Sequence, residues 1–210
     1  MNSFYLAFIA TSLLLILSPG IDTALVTRNT LTYSSKGGFF TAVGIASGVL
    51  VHTLATGLGL SIIIMQSTKL YFFIKLICSL YLIYLGITTL INRSSSKAKS
   101  IVLVDGDDQK RGLLPLFGQG ILTNVLNPKV AIFFLTFLPQ FIQGTGHFFQ
   151  HALLLGCTYS ALTLLWFLVY IHVMNRLKEW MTRPRVLQVM EGITGLVLLG
   201  LGINLAFATH

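Results

Sequence analysis

Two long apolar segments of the chain are each interrupted by a proline motif, and the two motifs carry opposite charges. The first reads Ser18-Pro19-Gly20-Ile21-Asp22 and the second reads Leu126-Asn127-Pro128-Lys129, with their prolines 109 positions apart. A proline inside a helix removes a backbone donor and clashes with the preceding turn, at a cost of about 3 kcal/mol or more. In a bilayer, the polar groups freed in this way need partners in protein, water or ligand. The sequence therefore predicts two broken membrane helices with a polar site where they meet.

The composition indicates that the chain lies in a membrane. Of its 210 residues, 54% are hydrophobic and only 10% are charged, whereas an average soluble domain has roughly 45–50% apolar residues. Six apolar runs each meet or exceed the ~20 residues needed to cross ~30 Å of hydrocarbon. They cover residues 3–27, 39–65, 70–91, 113–138, 148–174 and 186–208. We expect an all-α integral membrane protein with six transmembrane helices, the first helix of each half being broken at its proline motif.

The basic residues are distributed as in a membrane protein rather than as in a nucleic-acid-binding domain. The net charge is +8, but a nucleic-acid surface needs its basic residues on one face of a folded domain. Eleven of the 14 Lys and Arg instead fall in three alternate connections: Arg28 and Lys36; Arg93, Lys97, Lys99, Lys110 and Arg111; Arg176, Lys178, Arg183 and Arg185. Because cytoplasmic loops are enriched in Lys and Arg, we expect both termini on the periplasmic or extracellular side and no nucleic-acid partner.

The chain divides into two halves of three predicted spans each. Residues 1–91 form the first repeat, residues 113–210 form the second, and the polar stretch 92–112 is a predicted cytoplasmic linker. Since an odd number of spans places the second half in the opposite orientation, the sequence predicts an inverted repeat. A GxxxG motif at Gly44 and Gly48 predicts close helix packing within the chain, and a homo-oligomer interface is the alternative.

Each break is expected to expose the N-terminal end of a half-helix. Asn127 suits the N-cap position and Pro128 the first helical position, and Ser18-Pro19 can serve the same purpose. Such an end favours anions. Lys129 lies at the positive end of its own helix, so the sequence predicts an anionic group close to it.

This pattern suits a zwitterionic amino acid as ligand. Asp22 would bind the ammonium group, while Lys129 and the half-helix N–H groups would bind the carboxylate, because charges inside a membrane are functional by default. The predicted substrate-binding residues are Ser18, Pro19, Gly20, Asp22, Asn124, Asn127, Pro128 and Lys129. The alternative is a permanent Asp22–Lys129 ion pair that holds the two halves together.

Three further polar residues lie inside the predicted spans, and each is a candidate for a role in coupling or in the structure. Lys75 either extends to the outer surface or serves the site, and Glu191 either carries a proton or is paired at the interface. His52 is expected to hydrogen-bond between helices, with a proton relay as the alternative. No His, Cys, Asp or Glu cluster has metal-ligand spacing, and no nucleophile lies beside a base. The sequence therefore predicts no metal, no cofactor and no catalytic residue.

Several motifs together resemble those of the LysE/RhtB family of bacterial amino-acid exporters over nearly the whole chain. They are Ser18 to Thr23, Gly44 to Gly48 with Val51-His52, Lys75 with Tyr81 to Gly86, and Thr123 to Lys129 continuing to Phe137-Leu138-Pro139-Gln140-Phe141. Ile21 departs from the family pattern, which usually has a second proline there, so the first break is expected to be less rigid. The resemblance implies export of amino acids or close derivatives across the bacterial inner membrane, driven by the proton gradient, and its RhtB-like pattern favours neutral substrates.

Taken together, the sequence predicts a secondary exporter that alternates its access around the two broken helices. Its partners would be a small amino-acid substrate, protons and the lipid bilayer. A passive channel is the main alternative, because the four charges within the spans could line a water path. A membrane-embedded enzyme is a more distant alternative, since no acid–base or nucleophile arrangement is visible.

Overall fold

The protein is almost entirely helical in the residues that its computed structural model describes, which are 2–58, 68–92, 112–142, 147–181 and 184–207. The helices are α1 (Asn2–Leu17), α2 (Ile21–Gly57), α3 (Thr68–Asn92), α4 (Leu113–Val125), α5 (Pro128–Ile132), α6 (Phe148–Met181) and α7 (Pro184–Phe207). Helix α5 continues directly into a π-helical turn, Phe133–Phe137, and a 3-10 turn, Leu138–Phe141. The predicted all-α class is confirmed. The predicted linker 92–112 lies, except for its two end residues, outside the described part of the chain.

Several of these helices are long and apolar enough to cross a membrane. Within the described ranges, three qualify on their own: Ile21–Gly57, Phe72–Ile91 and Phe148–Arg176. A fourth candidate is the pair Leu113–Val125 and Pro128–Phe141, which is bent by 51° at the second break. Phe4–Leu17 and Gly192–Phe207 are shorter apolar helices. The chain is therefore a multi-pass membrane protein, with three to four candidate spans by length and composition among the residues that the structure describes.

Helix α2 reverses its direction part-way along its length. Tyr33 and Ser34 depart from helical geometry, and Ser34 has a φ of 64°. The side-chain amide of Asn29 donates to Thr41 Oγ1 at 2.9 Å, although twelve residues of straight helix would separate these positions by about 18 Å. The two parts of α2 therefore lie side by side.

We call residues 21–32 the first limb of α2 and residues 35–57 its second limb. The sequence predicted a loop between the spans here, with Arg28 and Lys36 in it. Instead, the helix continues through both positions and is interrupted by two residues only, and the Asn29–Thr41 hydrogen bond joins the limbs on either side of the turn.

The helices pack in two groups. The limbs of α2 pack on α4 and on α6, whereas α3 packs on α7. Helix α7 makes little contact with α6. The α3–α7 pair therefore stands beside the group that contains both helix breaks.

Helices α3 and α7 approach each other through two glycines in a reciprocal contact. A Cβ atom added to Gly86 would lie 2.9 Å from the carbonyl oxygen of Gly195 and 2.7 Å from Leu199 Cγ. A Cβ atom added to Gly195 would lie 2.9 Å from the carbonyl oxygen of Gly86 and 2.6 Å from Leu90 Cγ. Both Gly86 and Gly195, and Leu90 and Leu199, are 109 positions apart, the same separation as the two prolines of the breaks.

The GxxxG motif is used for packing within the chain, as predicted. A Cβ atom on Gly44 would meet the carbonyl oxygen of Phe117, and one on Gly48 would lie 2.8 Å from Asn124 Cβ. Both neighbours belong to α4. The second limb of α2 is thus held against the end of α4 that leads into the second break.

We expect Gly120→Ala to destabilise this contact and Gly118→Ala, two residues away, to leave it intact. A Cβ on Gly120 would meet the carbonyl oxygen of Thr41 and lie 2.9 Å from Ile45 N. Backbone atoms cannot rotate aside, so overpacking should cost about 1–3 kcal/mol. A Cβ on Gly118 has nothing within 4 Å, and alanine there should gain about 0.5–1 kcal/mol of helix stability. Melting temperatures of the two variants in detergent measure the difference, and equal values would contradict this packing.

Candidate functional site at the two helix breaks

Both predicted breaks are present, and each separates two helices. The first lies between α1 and α2, where Gly20 is the N-cap residue, and the second lies between α4 and α5, where Asn127 is the N-cap residue. Asn127 Oδ1 accepts a hydrogen bond from the backbone N–H of Lys129 at 3.1 Å, and Pro128 is the first helical residue. The capped helix start predicted for the second break is confirmed.

The first break differs from the prediction, which placed Ser18 and Pro19 at the start of the helix. Ser18 Oγ instead donates to the carbonyl oxygen of Leu15 at 2.8 Å, so this hydroxyl group serves the end of α1. Helix α2 begins at Ile21. Its N-cap residue, Gly20, has no side chain that could form a capping hydrogen bond. Ile21 occupies the first helical position, where proline is tolerated but not required. The helix start is therefore present without the family's second proline.

Asp22 is held by two asparagine side chains at the second break. It is the second residue of α2, as Lys129 is the second residue of α5. Asp22 Oδ2 accepts hydrogen bonds from Asn124 Nδ2 at 2.9 Å and from Asn127 Nδ2 at 3.0 Å. Its other oxygen, Oδ1, is buried and has no hydrogen-bond partner in the described part of the protein. Since an unsatisfied buried acceptor costs about 1–3 kcal/mol, a ligand that donates a hydrogen bond to Oδ1 would be bound favourably.

Lys129 reaches away from its own helix to the end of α1. Its ammonium group donates to the carbonyl oxygens of Leu15 at 3.0 Å and Ser18 at 2.9 Å, and to Ser18 Oγ at 3.1 Å. A lysine has three N–H donors, so all of them are engaged. The C-terminal end of a helix carries partial negative charge. Lys129 is therefore unfavourably placed with respect to α5 but favourably placed with respect to α1.

The two charges thus bind opposite halves of the chain rather than each other. Asp22 is hydrogen-bonded to side chains at the end of α4, and Lys129 is hydrogen-bonded to the end of α1. Among the described residues, no hydrogen bond joins Asp22 to Lys129 directly, and the alternative of a permanent ion pair between them stays a prediction. The direct hydrogen-bond partners of Lys129 in this conformation are two carbonyl oxygens and one hydroxyl group, and Asp22, which lines the same cavity, is the nearby anion that the sequence predicted.

Asp22 and Lys129 line one small cavity between the two breaks and α6. Its volume is about 20 Å³, which accommodates about one water molecule. Of the predicted binding residues, Ser18, Gly20, Asp22, Asn124 and Lys129 form part of its wall, whereas Pro19, Asn127 and Pro128 do not. An amino acid is larger than this cavity, so binding one requires the surrounding helices to move apart.

Helix α6 supplies a side of the cavity that the sequence reasoning missed. Tyr159, Thr163 and Phe167 line it, and their spacing of four residues places them on one face of the helix. Thr163 is only 4% exposed, and its hydroxyl group has no hydrogen-bond partner in the described structure. The signal in the sequence was a group of polar residues within a largely apolar run: Thr158, Tyr159, Ser160 and Thr163.

His52 contacts the site through the backbone of Asn124. Its Nε2 lies 3.1 Å from the Asn124 carbonyl oxygen, so this nitrogen is the protonated one, and the ring stacks on Phe134 with centroids 5.7 Å apart. The predicted role of His52 as a helix-contact residue is confirmed. Lys75 lies in α3, which contributes no residue to the cavity wall in the described part of the chain. Glu191 lies in α7, and its side chain is outside the described residues.

Comparison with known families decides what kind of protein this is. A family model described as LysE type translocator matches residues 13–209. The chain belongs to this family. It is accordingly a transporter that moves a small-molecule substrate in a membrane, not an enzyme. The resemblance drawn from the sequence motifs is confirmed.

Several relatives of this LysE-family chain match it over nearly its full length. The uncharacterized membrane protein YrhP of Bacillus subtilis is 36% identical over 206 residues, covering 95% of this chain and 96% of its own. The homoserine/homoserine lactone efflux protein of Salmonella typhimurium is 27% identical over 206 residues, covering 98% and 97%. An uncharacterized membrane protein of Vibrio cholerae is 26% identical over 204 residues, covering 97% of both chains. No solved structure matches the chain.

Proposed function

We propose that the chain is a secondary active exporter of amino acids or close derivatives across the bacterial inner membrane, coupled to the proton gradient. The observation that carries this proposal is the meeting of two broken helices, with opposite charges at the same helical position, at one cavity. Broken helices that point their ends at a midplane site are typical of secondary transporters. The name of the Salmonella relative supports the direction of transport, which is efflux, and favours small neutral amino acids such as homoserine.

The two ends of an amino acid would bind to different parts of this site. The ammonium group would donate to Asp22 Oδ1, and the carboxylate would face the uncapped first turn of α2 beside Gly20. Lys129 Nζ lies next to this point, since a Cβ atom on Gly20 would be 3.4 Å from it. The carboxylate would then replace a carbonyl oxygen of α1 as a partner of Lys129, which releases the end of α1 and couples binding to movement.

The architecture of this exporter would be six spans in two inverted repeats. The reversal within α2 supports six spans, because the second limb of α2 then forms a span of its own. The first limb pairs with α1 across the first break, as α5 pairs with α4 across the second break. The reciprocal contact of Gly86 with Gly195 supports the repeat. Residues separated by the repeat length meet their own counterparts only where a two-fold axis passes between them. The excess of Lys and Arg in alternate connections favours termini outside the cytoplasm.

Alternating access is favoured by the position of the cavity between two apolar clusters. One cluster includes Phe8 and Phe133, and the other includes Val26 and Met174. The cavity wall draws on both, with Tyr159 from the first and Phe167 from the second. Each cluster would separate in turn to open the site to one side of the membrane.

Efflux of radiolabelled homoserine from loaded cells, with and without an uncoupler, tests this function. We expect efflux above that of cells with an empty vector, and we expect the uncoupler to abolish the difference. A passive channel would release the solute at the same rate with the uncoupler present, and that result would overturn proton coupling. The exporter assignment would be overturned if cells, loaded in turn with each neutral amino acid of a panel, released none of them faster than cells with an empty vector.

A further inference from the structure

We infer that Thr163 of α6 is a substrate-binding residue that completes, with Asp22 and Asn124, a three-acceptor site specific for a primary ammonium group. This assignment rests on the proposed exporter function, and it adds which chemical group of the substrate the site recognises. Thr163 belongs to none of the motifs that identify the family.

Three residues that line the cavity each have a side-chain oxygen without a hydrogen-bond partner. Asp22 Oδ1, Asn124 Oδ1 and Thr163 Oγ1 are each buried and unpaired, and all three residues line the same cavity. Ser12, Asn29, Thr32 and Trp166 also have an unpaired buried polar atom in the described structure, but none of them lines the cavity. A primary ammonium group offers three N–H donors, which matches three acceptors, one of them charged.

The hydroxyl group of Thr163 is unusual among the helical threonines. Thr27, Thr30, Thr41, Thr53 and Thr136 each donate to the carbonyl oxygen four residues earlier, at 2.7–2.9 Å. This local bond is the usual way for a threonine inside a helix to satisfy its hydroxyl group. Thr163 makes no such bond although it is 4% exposed, so its oxygen is available to a ligand.

The orientation of Asn124 follows from its other contacts. Its Nδ2 donates to Asp22 Oδ2 at 2.9 Å, which identifies the remaining side-chain atom as the oxygen. Its backbone carbonyl is engaged by His52. The donors of Lys129 are occupied by α1, so no positive group of the described site competes for the three acceptors.

A site of this kind distinguishes a primary amine from an N-methylated one. N-methylation removes one of the three N–H donors and places a methyl group against an acceptor, which leaves a buried polar atom unpaired. The site should thus accept primary α-amino compounds and discriminate against their N-methyl derivatives.

Uptake of radiolabelled homoserine into inside-out membrane vesicles tests Thr163 with three variants. Thr163→Val keeps the shape of the side chain but removes the hydroxyl group, so we expect KM to rise about tenfold or more with little change in kcat, as for loss of a hydrogen bond to a charged group. Thr163→Ser keeps the hydroxyl group and should stay within about threefold of wild type. Thr136→Val is the matched control, since the Thr136 hydroxyl donates to the Ile132 carbonyl at 2.7 Å and lies outside the cavity.

N-methylhomoserine, added as a competitor, provides a second measurement that needs no variant. We expect it to inhibit wild-type uptake far less than unlabelled homoserine does. Equal inhibition by the two compounds, or a KM for Thr163→Val equal to that of Thr136→Val, would overturn the ammonium site while leaving the exporter function in place. Absence of homoserine transport by the wild-type protein would instead count against the proposed substrate and would be visible before any variant is compared.

Discussion

We expect Asp22→Asn to reduce efflux to the background of cells with an empty vector while the variant reaches the membrane in wild-type amounts. Asparagine has nearly the same shape, so the fold should persist. The one side-chain oxygen of the new asparagine would be needed to accept the hydrogen bonds from Asn124 and Asn127. Its NH₂ group would then be turned toward the cavity. The position where an acceptor stood would then present a donor to the ammonium group of the substrate. Loss of the charge and reversal of polarity therefore act together.

Efflux assays combined with immunoblots of the membrane fraction measure this effect. Lys36→Gln is the matched control, because it also removes one charge from α2 but at an exposed position away from the cavity. We expect the control to transport at the wild-type rate. Wild-type efflux from Asp22→Asn would show that the carboxylate does not bind the substrate.

The features that the sequence predicted correctly depend on local chemistry. Asn127 caps α5 because an asparagine before a proline suits a helix start whatever surrounds it. The breaks themselves follow from proline, and the membrane class follows from composition. Such features need only a few neighbouring residues, so the sequence contains the information directly.

The features that the sequence did not predict depend on contacts between distant parts of the chain. The partners of Lys129 are carbonyl oxygens at Leu15 and Ser18, more than a hundred positions away. Carbonyl groups exist at every residue, so no sequence pattern marks them as partners. Thr163 was missed for a related reason, since its unpaired hydroxyl group and its place in the cavity wall both depend on the folded structure. The reversal of α2 at Ser34 likewise relies on a bond between its limbs.

Lys129→Ala should abolish efflux and, unlike Asp22→Asn, should also lower the stability of the protein. The variant removes three hydrogen bonds from the end of α1. It also leaves Asp22 without the positive charge that lines the same cavity. Removing one partner of a buried charged group typically costs about 3–5 kcal/mol. We expect a clear fall in the melting temperature in detergent, together with background efflux.

The double variant Asp22→Asn/Lys129→Ala separates the two causes of that loss. If the uncompensated charge of Asp22 accounts for most of it, neutralising Asp22 should restore part of the stability, and the double variant should melt above Lys129→Ala although neither transports. If the bonds to α1 account for it, the double variant should melt no higher than Lys129→Ala, since Leu15 and Ser18 lose the same donors in both. The four melting temperatures form a double-mutant cycle whose coupling energy measures the interaction directly. Efflux by Lys129→Ala at the wild-type rate would instead show that the end of α1 needs no cation during transport, and the exchange of partners proposed for Lys129 would be wrong.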